Sequence, residues 1–196
     1  MKIIDISQEV LSSEIYDGDP KPRGERIKNM SSGEVYNLSV FSMCAHNGTH
    51  IDAPLHFFEN GKSIDEMALE HFVGECFVAS CKGELSAEDA LDILKKAREA
   101  GADKRILLKG ELTVTEEAAR VFAEAKILLL GNESQSVGPV LSPMAVHKIL
   151  LSSNVALLEG IVLENVEEGR YFLNCAPLNL RDFEGSPCRA VLIAEK

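Results

Sequence analysis

The feature that most constrains this chain is the run His46-Asn47-Gly48-Thr49-His50-Ile51-Asp52-Ala53-Pro54-Leu55-His56. The chain has 5 histidines, and His46, His50 and His56 all fall within this run. His46, His50, Asp52 and His56 occupy even positions, so in an extended segment their side chains leave from one face. Gly48, the β-branched Thr49 and Ile51, and Pro54 all oppose a helix, which excludes a helical His-x-x-x-His arrangement. In a straight strand His46 and His50 stand roughly 13 Å apart at Cα. An imidazole nitrogen must come within about 2.1 Å of a metal. The chain must therefore bend between them, and Gly48 is the residue that permits it. Two neutral imidazoles with the Asp52 carboxylate suit Zn(II), Mn(II) or Fe(II). The competing reading is a polar strand edge with solvated histidines, and it is disfavoured in a chain so poor in His.

At 196 residues, with 45% hydrophobic and 26% charged residues, the expectation is one globular domain over residues 1–196. A net charge of -11 argues against nucleic acid or an anionic membrane as partner. Apolar runs such as 127–130 are too short to span a bilayer. Asp5 interrupts the apolar stretch that a signal peptide requires, so a cytoplasmic location is expected. Cys44, Cys76, Cys81, Cys175 and Cys188 are odd in number and form no Cys-x-x-Cys pair, so buried thiols are expected rather than a disulfide framework. Cys44 shares parity with the histidine face, with burial as the simpler account.

Along the chain, Ile3, Ile4 and Ile6 predict a first strand, and Asp17-Gly18-Asp19-Pro20 a turn-rich loop. Residues 25–30 and 35–44 read as strands joined by Ser31-Ser32-Gly33-Glu34. Ser63-Ile64-Asp65-Glu66 reads as a capping box opening a short helix to about Phe72, with His71 a structural or solvated residue near its end. Then strand and helix alternate. Residues 76–80 are a strand, and Ser86 caps a helix to near Gly101 with Ala90, Leu91, Leu94 and Ala97 on its apolar face. Residues 106–109 are a strand, Thr115 caps a helix through Ala125, and 126–130 are another strand. This order implies parallel strands with helices packed across them. A polar loop from Gly131 to Val140 follows at a strand's C-terminal end, a common ligand position. Ser142-Pro143 reads as cap and first turn of a helix through Leu150 that carries His147. Residues 155–158 are a strand ending in Glu159-Gly160, and 171–175 and 189–194 are the last strands.

The string His-x-Gly-Thr-His-x-Asp-x-Pro-x-His resembles the signature of the cyclase-like metal-dependent hydrolases, a family that includes bacterial kynurenine formamidases and isatin hydrolases. The Asp17–Pro20 loop resembles a Gly-Asp-Pro stretch near the family's substrate pocket. Ala176-Pro177-Leu178 and Glu184-Gly185-Ser186-Pro187-Cys188-Arg189-Ala190 resemble its C-terminal pieces, so the likeness covers nearly the whole chain. It implies a mixed α/β fold of the swivelling β/β/α type, with a central mixed sheet or barrel flanked by helices. It further implies two divalent ions, Zn(II) or Mn(II), held by His46, His50, Asp52, His147 and Glu159, with Asp52 bridging. His56 resembles the family's general acid/base, and Glu159 would share that role. The implied reaction is hydrolysis of an amide C–N bond by metal-activated water, arylformamidase-like, on a small-molecule substrate. The family is commonly dimeric, so a homodimer or higher oligomer is expected. For a lone residue, His147 would read as a polar position on an exposed helix face and Glu159 as a charged strand end.

No Gly-x-Ser-x-Gly elbow and no phosphate-binding glycine loop occur, which leaves a metal-activated water as the nucleophile. The chain has no Trp, so an aryl substrate must find its wall elsewhere, and Phe57 and Phe58 are candidates that serve equally well as core. Two alternatives remain open: opening of a cyclic amide or lactone, and a non-catalytic protein that binds metal or a small carboxylate.

Overall fold

Between residues 73 and 159 the chain alternates strand and helix, and this stretch builds the centre of the molecule. The computed structural model describes residues 1–139 and 142–194. The strands are β1 (Lys2–Asp5), β2 (Arg23–Lys28), β3 (Leu38–Ser42), β4 (His50–Asp52), β5 (Val73–Ser80), β6 (Gly83–Leu85), β7 (Arg105–Lys109), β8 (Leu112–Val114), β9 (Leu129–Asn132), β10 (Ala156–Glu159), β11 (Gly169–Asn174), β12 (Gly185–Pro187) and β13 (Val191–Ala194). The helices are α1 (Ala87–Glu99), α2 (Glu116–Glu124) and α3 (Met144–Ser152). A 9-stranded sheet runs in the order β1-β13-β11-β5-β7-β9-β10-β4-β12. Its middle, β5, β7, β9 and β10, is parallel, and the flanking pairs are antiparallel. β2 and β3 form a separate two-stranded ribbon, and β6 and β8 a small parallel pair. The architecture is mixed α/β with a central mixed sheet, as the sequence implies.

Local chemistry sets the helix starts. Ser86 and Asp89 form a capping box at α1, and the Thr115 hydroxyl accepts the Ala118 N–H at α2. α1 buries Ala90, Ile93, Leu94 and Ala97, an i, i+3, i+4, i+7 stripe. The central strands β7, β9 and β10 are buried on both faces. Ile106, Leu108, Leu130 and Leu157 meet the helices, while Ile51, Leu107, Leu129, Leu158 and Leu192 meet Ile6, Phe72 and Leu163 on the other side. Each such side chain contributes about 1.5–3 kcal/mol of burial.

Several expectations change. The segment opened by Ser63 keeps its capping box but forms two 3-10 turns, Ile64–Glu66 and Leu69–His71, rather than one helix. Met67 and Ala68 between them are extended because Met67 turns into the core. Leu91 is 58% exposed and Ile93 takes its place, since Leu91 lies one residue, about 100°, off the buried stripe. Ser142 makes no capping hydrogen bond; Pro143 is the cap position of α3, and packing of Val146, Leu150 and Leu151 holds this short helix. The strand expected at 126–130 starts later, at Leu129, and takes in Gly131 and Asn132 from the expected loop, whose last residue, Val140, lies outside the described residues.

β4 is the fold's contribution to the site. It inserts between β10 and β12, with Glu159 opposite His50 and Leu157 opposite Asp52. Ile51 points into the core below, so His50 and Asp52 share the face that Glu159 and α3 occupy. Two glycines make the approach possible. Gly48 has φ +66°, and Gly160 has φ +67° with its missing Cβ only 2.5 Å from the Gly48 carbonyl oxygen. Thr49 Oγ1 donates to the Gly160 carbonyl at 2.6 Å, and the Gln8 N–H donates to Thr49 Oγ1 at 2.9 Å.

Gly160→Ala must therefore strain the backbone and push two chains apart. We expect a loss of at least about 2–3 kcal/mol in denaturant unfolding. Gly33→Ala has a comparable φ of +90° but nothing within 4 Å, and should cost only about 1 kcal/mol. Equal costs at the two positions would show that the Gly48–Gly160 crossing does not hold β4 in register.

Candidate metal centre

Of the four even-numbered residues, only His50 and Asp52 lie on a strand. His46 precedes it in a turn, and His56 ends the 3-10 turn Pro54–His56. Strand parity therefore does not aim the four; bends at Gly48 and Pro54 do. His46 Nδ1 lies 2.8 Å from Asp52 Oδ1, and His50 Nε2 lies 3.3 Å from the same oxygen. From the far end of the chain, His147 Nε2 lies 3.2 Å from Glu159 Oε1 and 3.6 Å from Asp52 Oδ2. Glu159 Oε2 reaches His50 Nε2 at 3.4 Å. Two groups result, His46-His50-Asp52 and Asp52-His147-Glu159, each with ligand atoms within 4.8 Å of one another and with Asp52 common to both. His147 and Glu159 are buried, so the exposed helix face and charged strand end are excluded.

The hydrogen bonds orient the rings. His50 Nδ1 lies 2.9 Å from the Gly48 carbonyl, and His147 Nδ1 2.9 Å from the Pro143 carbonyl. A carbonyl can only accept, so Nδ1 carries the proton and Nε2 is offered to the centre. The Val137 N–H donates to Glu159 Oε1 at 2.7 Å and fixes that carboxylate. Imidazole nitrogens and carboxylate oxygens, with His50, His147 and Glu159 each fixed by a backbone group, fit a divalent cation of the Zn or Mn kind.

The electrostatics are those of an ion cage. Burial disfavours protonation of His46, His50 and His147, but the Asp52 and Glu159 carboxylates outweigh it, so all three are raised, His50 well above the usual imidazole range. Burial likewise penalises the Asp52 carboxylate, yet hydrogen bonds from His46 and His50 hold it well below its usual range. His56 differs: burial dominates and lowers it. Its ring stacks on His46 at 4.2 Å between centroids, edge-on to Phe57 at 4.6 Å.

These groups open into a cavity of about 270 Å³. Asp19, from the loop singled out in the sequence, and Tyr16 just before that loop form part of its wall, and Phe57 another part. Phe58 lines no part of it and packs on the helical core. Cys44 belongs to neither donor group, and burial raises its thiol. All 5 cysteines are free thiols. His71 is buried between the Ala68 and Asn154 carbonyls, a structural role. Sequence reasoning passed over Glu184, whose Oε1 lies 3.3 Å from His46 Nε2, and Gly185, where a Cβ would sit 2.7 Å from the His46 ring. It also assigned nothing to Gln135 and Ser136 on the cavity wall. The sequence marks their stretches, the Gly131–Val140 loop as a common ligand position and Glu184–Ala190 by resemblance, but not these side chains, which reach the site through the β4–β12 pairing and the loop after β9.

A family model described as Cyclase matches residues 4–139. The chain belongs to the cyclase family. It is 33% identical to the kynurenine formamidase of Erythrobacter litoralis over 97% of this chain and 93% of that protein. Among solved structures, a potential metal-dependent hydrolase with cyclase activity superposes with a TM-score of 0.79 at 27% identity, covering 100% of this chain and 99% of the other. Isatin hydrolase A from Labrenzia aggregata, solved with benzyl benzoate, has a TM-score of 0.84 at 23% identity, covering 99% and 94%, and shares the fold. Among the described residues, no helix of this cyclase-family chain is long and apolar enough to cross a membrane.

Protons and a cation compete for the same imidazole nitrogens, Nδ1 of His46 and Nε2 of His50 and His147. The raised imidazoles add stability that is full below the unfolded value of about 6.5 and is lost as pH climbs through their folded values. Asp52, being depressed, adds stability above about 3.9 that is lost as pH falls through its lower folded value. The metal-stripped protein should thus lose stability as pH rises above about 6.5, while Zn(II)- or Mn(II)-loaded protein should not. Calorimetry near neutral pH in buffers of different ionisation enthalpy should show about one or more protons released per ion bound. Metal affinity independent of pH would exclude these imidazoles as ligands.

Proposed function

We propose that this chain hydrolyses an amide C–N bond with a divalent metal as cofactor, and that its substrate is an aryl formamide such as N-formylkynurenine. Water is consumed, and formate and the aryl amine are released. The observation that carries the reading is a pair of donor groups sharing one buried aspartate, beside a histidine whose proton affinity is lowered rather than raised. The kynurenine formamidase relative, matched along nearly the whole chain, supports the substrate class. The ligands would be His46, His50 and Asp52 on one side and His147 and Glu159 on the other, holding one or two ions of Zn(II) or Mn(II). A divalent cation bound there supplies Lewis acidity, lowering the pKa of a water and polarising a carbonyl.

The side chains supply the rest. His56, kept neutral by burial, accepts a proton from the attacking water and returns it to the leaving nitrogen. Stacking on His46 fixes its ring. Glu159 shares proton transfer from the opposite side, its Oε1 already held by the Val137 N–H. Phe57 and Tyr16 offer aromatic walls to an aryl group. A cavity of about 270 Å³ accommodates a small-molecule substrate.

Two further parts of this reading concern the whole protein. The unpaired cysteines accord with a reducing, cytoplasmic location. A homodimer accords with the β2–β3 ribbon, which leaves Ile27, Leu38, Val40 and Phe41 at least 40% exposed. Sedimentation of the wild type as a dimer and of Phe41→Asp as a monomer is expected, and a monomeric wild type would remove the dimer.

The enzyme reading is tested by two variants. His56→Ala should lower kcat by about 10²–10⁴-fold and keep its metal by elemental analysis. Asp52→Asn should lose metal outright, because both donor groups use that side chain. Turnover of cyclic amides or lactones with none of N-formylkynurenine would move the assignment to ring opening. Metal retention with no turnover of either class would leave a binding protein.

A further inference from the structure

The three imidazoles of the cage are not held alike. His50 and His147 turn Nε2 inward and rest Nδ1 on a backbone carbonyl, that of Gly48 and that of Pro143. His46 is reversed. Its Nδ1 lies 2.8 Å from Asp52 Oδ1, so Nε2 is the nitrogen that faces away from the centre. The group that meets it is a side chain, Glu184, whose Oε1 lies 3.3 Å away. Among the described residues, no other hydrogen-bond partner reaches that nitrogen.

The fold places this contact. The Glu184 carbonyl accepts the Ala53 N–H at 2.9 Å, and the next residue, Gly185, stands opposite Asp52. The backbone pairing that seats Asp52 thus seats Glu184 as well. The His46 ring has little room to turn elsewhere. His56 stacks on its face at 4.2 Å between centroids, and Gly185 lies against its edge, where a Cβ would come within 2.7 Å of Cε1. The His46 side chain is 15% exposed and that of Glu184 41%. Glu184 lines no part of the cavity, so its carboxylate is set to act on the ring and not on a substrate.

A plain surface pair of this exposure would contribute little. This pair differs because the other nitrogen of the ring is a ligand position. An ionised carboxylate can only accept, so it keeps the His46 proton on Nε2 and leaves the Nδ1 lone pair for a cation. Such a partner behind a ligating imidazole also fixes the ring's aim and strengthens it as a donor.

We propose that Glu184 is a positioning residue for the metal centre: through His46 it sets the tautomer and the aim of one donor in the His46-His50-Asp52 group, and it touches neither ion nor substrate. This rests on the metal-dependent reading of the site and deepens it. The donor group that contains His46 depends on a half-exposed side chain, whereas His147 and Glu159 of the other group are fixed by backbone.

The test reads Zn(II) binding to the full chain by competition with a chelator. Glu184→Ala should weaken the binding of one Zn(II) by about 10–100-fold. Glu184→Gln keeps an acceptor oxygen and should fall between alanine and the wild type. Asp182→Asn removes a charge two residues away, on a side chain 85% exposed, and should bind as the wild type does. In Zn(II)-loaded protein, long-range proton–nitrogen NMR should place the His46 proton on Nε2 and those of His50 and His147 on Nδ1. Unchanged affinity in Glu184→Ala, an equal loss in Asp182→Asn, a Glu184→Gln no better than alanine, or a His46 proton on Nδ1 each overturns the proposal. Protein that binds Zn(II) as expected but hydrolyses no amide loses the enzyme reading and keeps this one. A wild type that binds no Zn(II) loses both.

Discussion

A carboxylate buried to 1% exposure has to be matched by positive charge or strong donors, and Asp52 is matched by three imidazoles from two distant parts of the chain. An unpaired charge at that depth costs several kcal/mol, so Asp52 is tolerated only when His46, His50 and His147 all converge on it. That requirement is met by geometry. The β4–β10 register sets His50 across from Glu159, and α3 lies over the same face to deliver His147. The same convergence that satisfies the carboxylate places imidazole nitrogens and oxygens where a divalent cation would replace the protons.

Convergence depends in turn on backbone that can come close. Two short paired strands, β4 and β10, carry His50, Asp52 and Glu159, with β12 on the other side of β4. Gly160 lets the end of β10 touch the Gly48 carbonyl, and Gly185 on β12 leaves room for the His46 ring. These glycines serve the site as surely as its ligands do. A methyl group at either would displace a ligand by the tenths of an ångström that metal coordination does not forgive.

The five histidines also divide by environment. His46, His50 and His147 face carboxylates and are raised, while His56 faces the Phe57 ring and the stacked His46 ring and is lowered. His71, bonded to backbone carbonyls, is architectural. One side-chain type thus sits in three environments, beside carboxylates, against aromatic rings and among backbone carbonyls, the neighbours alone setting its proton affinity.

What the sequence alone determined is what depends on near neighbours. The caps at Ser86 and Thr115, the bend at Gly48 and the alternation of strands and helices all follow from residues within a few positions of one another. So does the motif that gathers His46, His50, Asp52 and His56, whose length and rarity carried the family resemblance and, through it, His147 and Glu159. Tertiary structure decided the rest. The buried stripe of α1 took Ile93 over Leu91, the Ser63 segment broke into two turns around Met67, and packing made up for the cap that Ser142 does not supply. Glu184, Gly185, Gln135 and Ser136 lie in stretches the sequence marked, but their part in the site came only with the fold. Their positions depend on which strand pairs with which, and for β4 that pairing is decided by the burial of side chains more than a hundred residues apart.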